Sequence, residues 1–315
     1  MSSRPWLRLL LLTLLACSWA RPAAASLLQE RTPCVMLAGS YADYQQRAVQ
    51  QWQNDAAAAL KAQRALRPQT ELAAALWPAD EYARRSAYVG FTCERLVYLS
   101  DGFKVVAFLW KPASAPAAGR LPLIVFNRGG LGEAFKLRPN TWFGFYSYVA
   151  AGYAVLATQY RGNDGGEGEE SPGSGDIHDV LNLLPLAAEL ALFDRERVFM
   201  LGFSRGGYVT LRALQDGAGA KVRAAAVVGA TRSLSQAAAT APTITSGVPV
   251  PLLVLHGGAD GSVPSTEAVD IARSQWAVGQ PGELVVYDGD SHGLTFNQRD
   301  RDARVLAWFA RFTPP

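Results

Sequence analysis

Six short apolar runs alternate with helical patterns in this chain, and the alternation restricts its fold more than any other feature. The runs are Leu121–Asn127, Tyr153–Tyr160, Val198–Phe203, Ala224–Gly229, Pro251–His256 and Leu284–Tyr287. The helical patterns are Trp142–Ala151, Asp176–Leu192, Gly206–Gln215, Ser265–Ala277 and Gln298–Phe312. Strands that alternate with helices predict βαβ units, and hence an α/β fold with a mostly parallel central sheet and helices on both faces. Working loops of such sheets lie beyond the carboxyl ends of the strands.

An antiparallel hairpin precedes the alternation. The stretch FTCERLVYLSDGFKVVAFLWKP contains two β-type runs joined by Ser-Asp-Gly, which is a hairpin signal. Further upstream, Tyr41–Leu66 and Thr70–Trp77 have helical spacing, and Pro68 and Pro78 end them. We therefore expect a helical N-terminal extension at residues 26–87 and an α/β domain at residues 88–315.

The first 25 residues have the pattern of an export leader. Arg4 and Arg8 precede the apolar run Leu7–Ala16, which is too short to span a bilayer. Small residues before Ser26 suit cleavage of a signal peptide, whereas LLAC ending at Cys17 resembles a lipoprotein signal. Both alternatives predict an exported protein, periplasmic or secreted, which contacts a membrane only through a lipid anchor at Cys17.

Charge and cysteine content restrict the partners. The chain after the leader has 27 basic and 27 acidic residues with no basic tract, so neither nucleic acid nor an anionic membrane surface is an expected partner. Cys34 and Cys93 form either a disulfide or two buried thiols, because spacing alone does not fix their separation. The sequence contains no Cys/His cluster of metal-binding type, and we expect neither a metal nor an organic cofactor.

Two serines lie in G-x-S-x-G, the pattern of a nucleophile elbow. Ser204 lies in GFSRG, between a predicted strand and a predicted helix, which is the context that the elbow requires. Ser291 lies in GDSHG, and the only later histidine is its direct neighbour His292. The sequence therefore predicts Ser204 as the nucleophile.

A serine nucleophile needs a histidine base and an acid that orients it. The three histidines are His178, His256 and His292. His178 precedes Ser204, and His256 ends a predicted strand as a structural histidine would. The order Ser204, Asp260, His292 is that of α/β hydrolases, with each residue after a different strand. Asp288 and Asp290 are rival acids, but they share a loop with His292 and are disfavoured for that reason.

From about Phe91 to Phe312 the chain resembles the catalytic domain of prolyl-oligopeptidase-family serine peptidases, close to the dienelactone-hydrolase branch of the α/β-hydrolase superfamily. The matching segments are SDGFKVVAFLWKP, LPLIVFNRGG, YRGNDGGEG, DIHDVLNLL, GFSRGG, LLVLHGGADGSVP and DGDSHG. The resemblance implies that Ser204, Asp260 and His292 are nucleophile, acid and base. It also implies an oxyanion hole made by the backbone N–H of Arg205 and that of Arg128 or Gly129.

The chain departs from the family in three places. Arg128 stands where many relatives have His or Tyr, so a tyrosine hydroxyl donor is missing and Arg128 is equally well a structural ion-pair partner. Fewer than 70 residues lie between the leader and the hairpin, too few for the β-propeller of long members. Only a short cap fits between Gly229 and Pro251, so an open active site is expected.

These observations predict an exported serine hydrolase that cleaves a peptide or an ester bond. Its substrate would be a small molecule or a short peptide, and Glu167 and Glu169 in a glycine-rich acidic loop are candidate ligands for a cationic group of that substrate. The alternatives are a carboxylesterase that acts on small acyl esters and a non-catalytic surface binding protein built on a hydrolase scaffold.

Overall fold

The computed structural model describes residues 26–34, 39–87, 90–114, 121–138, 142–234 and 241–314. Within these residues, nine strands form one sheet: β1 Leu28–Pro33, β2 Phe91–Ser100, β3 Phe103–Pro112, β4 Leu121–Asn127, β5 Ala154–Thr158, β6 Phe193–Phe203, β7 Ala224–Val228, β8 Leu252–Gly257 and β9 Gly282–Tyr287. Their order across the sheet is β1-β2-β3-β5-β4-β6-β7-β8-β9. The pairs from β1 to β5 are antiparallel, and all pairs from β5 to β9 are parallel.

Helices cover both faces of the sheet. The helices are α1 Tyr41–Lys61, α2 Leu72–Ala75, α3 Ala79–Ser86, α4 Trp142–Ala150, α5 Gly175–Leu190, α6 Arg205–Gln215, α7 Ser265–Ala277 and α8 Gln298–Arg311. One face packs against α5, α6 and α7, and the opposite face packs against α4 and α8. The predicted mostly parallel sheet, with its antiparallel hairpin and helices on both faces, is confirmed.

The two cores follow from the alternation of side chains along the central strands. In β4, Leu123 and Val125 belong to the core under α5, α6 and α7, whereas Ile124 and Phe126 belong to the core under α4 and α8. A strand that is buried on both faces needs apolar side chains towards both cores, which explains the apolar run that precedes Asn127 in β4.

An edge strand lies in the segment for which the sequence predicts only helices. β1 pairs antiparallel with β2, and five of its six residues are exposed. Its sequence, LQERTP, has no alternation of apolar and polar residues. An edge strand whose side chains are mostly solvated does not need this alternation, so the sequence pattern did not predict β1. Directly after β1, Cys34 is joined to Cys93 of β2 by a disulfide, with a Cα–Cα distance of 5.3 Å.

Helix α1 lies over loops at the carboxyl edge of the sheet. It begins at a capping box, in which the Ser40 hydroxyl accepts from the Asp43 N–H at 3.1 Å. Its apolar side packs with α2 and with Phe296, which follows β9. At Gly261, after β8, any side chain would collide with the backbone of Ala58 in α1. The N-terminal segment is therefore packed directly against the loops that follow β8 and β9.

The predicted leader and its Cys17 lie outside the described residues. Across the described part of the chain, no helix combines the length and the apolar character that crossing a bilayer requires.

Candidate active site

The strand ends that the sequence singled out meet at one edge of the sheet. In register, Phe203 of β6 is paired with Val228 of β7, Val228 with Leu255 of β8, and Leu255 with Val285 of β9. The loops that carry Ser204, Asp260 and His292 begin a few residues beyond these pairs. Parallel strands thus bring three sequence-distant loops to the same edge.

Ser204 occupies a sharp turn between β6 and α6. Its φ of 53° and ψ of −123° place it in a region that non-glycine residues rarely adopt, as in a strained nucleophile elbow. Its backbone N–H donates to the carbonyl oxygen of Val228 at 2.9 Å, which ties the turn to β7. At Gly206, a Cβ would collide with the carbonyl oxygen of Asn127, so only glycine lets α6 start this close to β4.

Asp260 and His292 contact each other directly. Oδ2 of Asp260 lies 2.6 Å from Nδ1 of His292, while Oδ1 accepts the backbone N–H groups of Ser262 and Val263, both at 2.8 Å. The Asp260 side chain is fully buried, and that of His292 is 20% exposed. The carboxylate is thus fixed by its own loop and presents one oxygen to the imidazole.

A second histidine contacts the same carboxylate. Nε2 of His256 lies 3.2 Å from Oδ2 of Asp260 and 3.0 Å from the carbonyl oxygen of Val263. Burial favours the neutral acid, but the hydrogen bonds from His256 and His292 outweigh it and hold the pKa of Asp260 well below its ordinary value. Asp260 is therefore ionised wherever His292 could act as a base.

The rival residues lie in other arrangements. Asp290 is buried, and both of its carboxylate oxygens accept hydrogen bonds within its own loop. The donors are the backbone N–H groups of Ser291, Phe296 and Asn297. Asp288 is exposed. The Ser291 side chain is buried, and its hydroxyl lies 3.3 Å from that of Thr295.

The third histidine is remote from this group. The His178 side chain is 58% exposed and lies 2.7 Å from Asp101. This location agrees with the sequence analysis, in which His178 was disfavoured as the base because it precedes Ser204.

Ser204 and His292 line one cavity of about 290 Å³. Apolar side chains form most of its wall: Phe126, Phe135, Leu137 and Phe203. Phe135, at the rim, is 69% exposed. Gln51 of α1 and Lys136 add polar groups. The cavity suits an apolar group attached to a carbonyl that reaches the serine.

Two backbone segments lie beside Ser204 on the side of β4. Gly129 is so close that a Cβ there would lie 3.0 Å from the Cβ of Ser204. Arg205 is the first residue of α6, so its backbone N–H has no partner within the helix. Gly129 and Arg205 thus lie directly beside the serine, and an oxyanion hole built from the backbone N–H groups of Arg205 and of Arg128 or Gly129 stays a prediction.

The side chains of Arg128 and Arg205 point away from solvent. Arg128 is 1% exposed and Arg205 is 4% exposed. Both reach Oε1 of Glu170, at 3.2 Å from Arg128 and 2.6 Å from Arg205. The structure therefore contains the predicted alternative in which the Arg128 side chain forms an ion pair.

The candidate substrate ligands of the acidic loop lie elsewhere. Glu167 is exposed, and its carboxylate accepts the backbone N–H of Lys104 at 2.9 Å. Glu169 is exposed as well, and neither residue lines the cavity. The loop instead contributes Glu170, which the sequence did not single out because nothing in its composition distinguishes it from its neighbours.

Gln51 and Asp55 of α1 were also missed by sequence reasoning. Nε2 of Gln51 donates to Oδ1 of Asp55 at 2.9 Å, and Asp55 Oδ2 is buried without a hydrogen-bond partner among the described residues. Burial raises the pKa of Asp55, against the opposing effects of Ser291, Gln51 and His292. The residues that the structure describes include no group of His, Cys, Asp and Glu that could hold a metal ion.

A strained serine at a β–α turn of a mostly parallel sheet, with a histidine and a buried aspartate on neighbouring strand ends, defines a serine hydrolase of the α/β-hydrolase superfamily. Comparison with known families agrees with this class. The family model described as X-Pro dipeptidyl-peptidase (S15 family) matches residues 13–241, and the chain belongs to this family.

Individual relatives cover parts of the chain. It is 33% identical over 112 residues to the uncharacterized peptidase YtmA of Bacillus subtilis, an alignment of 36% of this chain and 41% of that protein. It is 26% identical over 262 residues to acylamino-acid-releasing enzyme 1 of Oryza sativa subsp. japonica, an alignment of 68% of this chain and 33% of that protein. The chain therefore spans well under two thirds of the length of either relative.

Among solved structures, the acylaminoacyl peptidase of Pyrococcus horikoshii superimposes with a TM-score of 0.59 at 18% sequence identity. The superposition covers 73% of this chain and 43% of that one. A likeness at this level of identity establishes a shared fold.

Proposed function

We propose that this protein hydrolyses peptide or related acyl bonds through an acyl-enzyme, with Ser204 as nucleophile, His292 as base and Asp260 as the orienting acid. The observation that carries the proposal is the 2.6 Å contact between His292 Nδ1 and Asp260 Oδ2, at the cavity that Ser204 also lines. With Nδ1 engaged by the carboxylate, Nε2 of His292 is the nitrogen that takes the serine proton.

The reaction follows from these roles. Ser204 Oγ attacks the substrate carbonyl and gives its proton to His292, and the oxygen that becomes negative accepts from the backbone N–H of Arg205 and of Gly129 or Arg128. His292 then protonates the leaving group, and the acyl group stays on Ser204. Water, deprotonated by His292, releases the acid in the second half of the reaction.

The cavity favours substrates with an apolar group next to the carbonyl. Its wall of Phe126, Phe135, Leu137 and Phe203 would bury such a group, and its volume of about 290 Å³ admits one side chain of a peptide. The family description and the acylamino-acid-releasing enzyme among the relatives support peptides as the substrate class. Short peptides and their amides are therefore the first substrates to test.

A carboxylesterase is the second candidate function. The apolar wall accepts an acyl group whether the leaving group is an amine or an alcohol, and an alcohol leaves more readily. We expect esters to turn over faster than amides of the same acyl group. Values of kcat/KM for matched p-nitrophenyl esters and p-nitroanilides, including X-Pro derivatives, test this expectation, and anilides that turn over faster than the matched esters would show a site selective for amides.

The nucleophile is tested with a fluorophosphonate probe. Ser204→Ala should abolish labelling and lower kcat by several orders of magnitude, because loss of a triad member typically does so. Ser291→Ala is the matched control, since it alters the serine of the other G-x-S-x-G and should keep most of the activity. An inactive Ser291→Ala beside an active Ser204→Ala would overturn the assignment.

Export is part of the proposal and rests on the leader pattern of residues 1–25. The mature protein should begin near Ser26 or at a lipidated Cys17. Intact-mass measurement of protein from the native host distinguishes these two forms. A mass that retains all residues from Met1 would reject export.

A further inference from the structure

Glu170 joins the two sides of the proposed oxyanion hole. Its side chain is 15% exposed. Oε1 accepts from Nη2 of Arg205 at 2.6 Å and from Nη2 of Arg128 at 3.2 Å. Oε2 accepts the backbone N–H of Gly132 at 2.7 Å. One carboxylate thus contacts the residue after Ser204, the residue before Gly129 and the loop that continues from Gly129.

An aromatic ring fixes the same two arginines. The guanidinium carbons of Arg128 and Arg205 lie 5.0 and 4.6 Å from the ring centre of Tyr160, which is fully buried. The Tyr160 hydroxyl donates to the carbonyl oxygen of Arg128 at 3.1 Å. Arg205 also pairs with buried Asp176 at 2.6 Å. Two cations and two anions therefore form a closed group, in which cation–π contacts restrict the guanidinium planes.

This arrangement matters because an oxyanion hole stabilises negative charge only when its donor groups are correctly placed. Donors must lie 2.7–3.1 Å from the place that the oxyanion will occupy. A displacement of about 1 Å costs on the order of 10²-fold in rate. The backbone of Arg128 and Gly129 belongs to the loop after β4, whereas Arg205 begins α6. A shared acceptor between the two arginine side chains holds these separate segments at a fixed distance.

We propose that Glu170 is a positioning residue that sets the geometry of the oxyanion hole. This inference rests on the proposed function, because it assumes that the backbone N–H groups beside Ser204 stabilise the negative charge. Glu170 does not touch the reacting atoms. It acts through Arg128 and Arg205, and its loss should weaken transition-state binding while ground-state binding is preserved.

The test uses two variants of the full chain. Glu170→Ala removes both acceptor oxygens, and Glu170→Gln keeps the shape and one acceptor oxygen. The matched control is Asp216→Asn, which breaks an ion pair of 2.9 Å between Arg212 and Asp216 on the exposed side of α6. Measurements are kcat and KM for one peptide anilide, the inhibition constant of the peptidyl boronate with the same acyl group, and thermal unfolding.

We expect kcat to fall about tenfold to a hundredfold in Glu170→Ala and less in Glu170→Gln, with KM within about twofold of the wild type. The boronate should lose affinity in proportion to kcat, because its tetrahedral adduct places an oxygen in the oxyanion hole. Asp216→Asn should leave all three quantities unchanged. If Glu170→Ala does not fold, Glu170→Gln alone decides by the same criteria.

Two results would overturn the inference: a rise in KM at unchanged kcat, or folded variants with wild-type kcat and boronate affinity. Either result leaves the triad intact, since the variants would still react with the fluorophosphonate at Ser204. Failure of the proposed function would appear separately, as wild-type protein that is not labelled at Ser204.

Discussion

Nε2 of His256 lies 3.2 Å from Oδ2 of Asp260, the same oxygen that faces His292. The sequence placed His256 at a strand end and assigned it a structural role. His256 also affects the ionisation of Asp260, because a hydrogen bond to the carboxylate favours its ionised form. Two histidines therefore hold one buried aspartate in its charged state.

Replacing His256 should change how the stability of the protein responds to acid. The pKa of Asp260 lies well below that of an unfolded aspartate, so its charge adds to the free energy of unfolding at neutral pH, and this contribution is lost as the pH falls below about 4. His256→Leu removes a donor that favours the ionised form, so the variant should be less stable than the wild type at pH 7, and the difference should shrink towards pH 3. His256→Gln keeps a donor and should lose less stability. Urea unfolding between pH 3 and pH 7 measures the effect, and a loss of stability that does not depend on pH would contradict the role.

Gln51 should favour substrates with an N–H group. Gln51 lines the cavity and its Nε2 is engaged by Asp55, so its side-chain carbonyl is the group left to accept a hydrogen bond from a substrate. Gln51→Leu should raise KM several-fold for peptide anilides and change KM little for simple acyl esters, since an ester lacks the donor. Gln50→Leu is the matched control, because Gln50 is exposed on the same helix and pairs with Asn54. Equal effects on both substrate classes would refute the prediction.

Asp176 should make folding stability depend on pH in a defined window. Burial raises its pKa to about 6, although Arg205 and the Ser171 N–H oppose the rise. The folded state then binds the proton more tightly than the unfolded state, whose pKa is about 4. Its contribution to the free energy of unfolding is therefore full below about pH 4 and is lost as the pH rises to about 6.

The magnitude of that change is roughly 3 kcal/mol, at about 1.4 kcal/mol for each unit of pKa difference. The test compares the free energy of unfolding of Asp176→Asn with that of the wild type at each pH. The difference between the two proteins should change by about this amount between pH 4 and pH 6.5. Urea unfolding at several pH values measures it. A difference that is constant with pH would show that Asp176 titrates normally.

Reduction of the disulfide should lower stability more than activity. The bridge joins two cysteines that are 59 positions apart in the sequence, and chain entropy places its contribution at no more than about 4 kcal/mol. The double variant Cys34→Ser, Cys93→Ser should unfold at a lower temperature and keep its kcat, because the bridge lies at β1 and β2, away from Ser204. Thermal unfolding with and without reductant checks this, and two alkylated thiols in the unreduced protein would refute the bridge.

The sequence predicted the parts of the site that depend on topology. Ser204, Asp260 and His292 each follow a strand of a parallel sheet, and parallel strands end at a common edge whatever the details of packing. Chain order and strand context were therefore sufficient to select these residues from the available serines, acids and histidines. Their catalytic roles stay predictions until the variants are measured.

The parts that depend on packing could not be predicted. Choosing Glu170 over Glu167 and Glu169 requires the path of a glycine-rich loop, in which Gly162 N–H donates to the carbonyl oxygen of Glu167 and turns the chain. Gln51 reaches the cavity only because α1 packs on loops made far later in the chain. β1 has no apolar alternation that could predict it, because pairing with β2 and the disulfide between Cys34 and Cys93 keep it in place.

The packing of α1 also has a consequence for the order in which the protein is made. Arg64, just after α1, donates to the carbonyl oxygen of Gly258, which lies 194 residues further along the chain. During synthesis α1 therefore emerges long before the loops on which it packs, and a nascent chain has no complete cleft around Ser204. The cleft cannot be complete before the loop that carries His292 has been made, so a translation product that ends before this loop contains Ser204 without its proposed base.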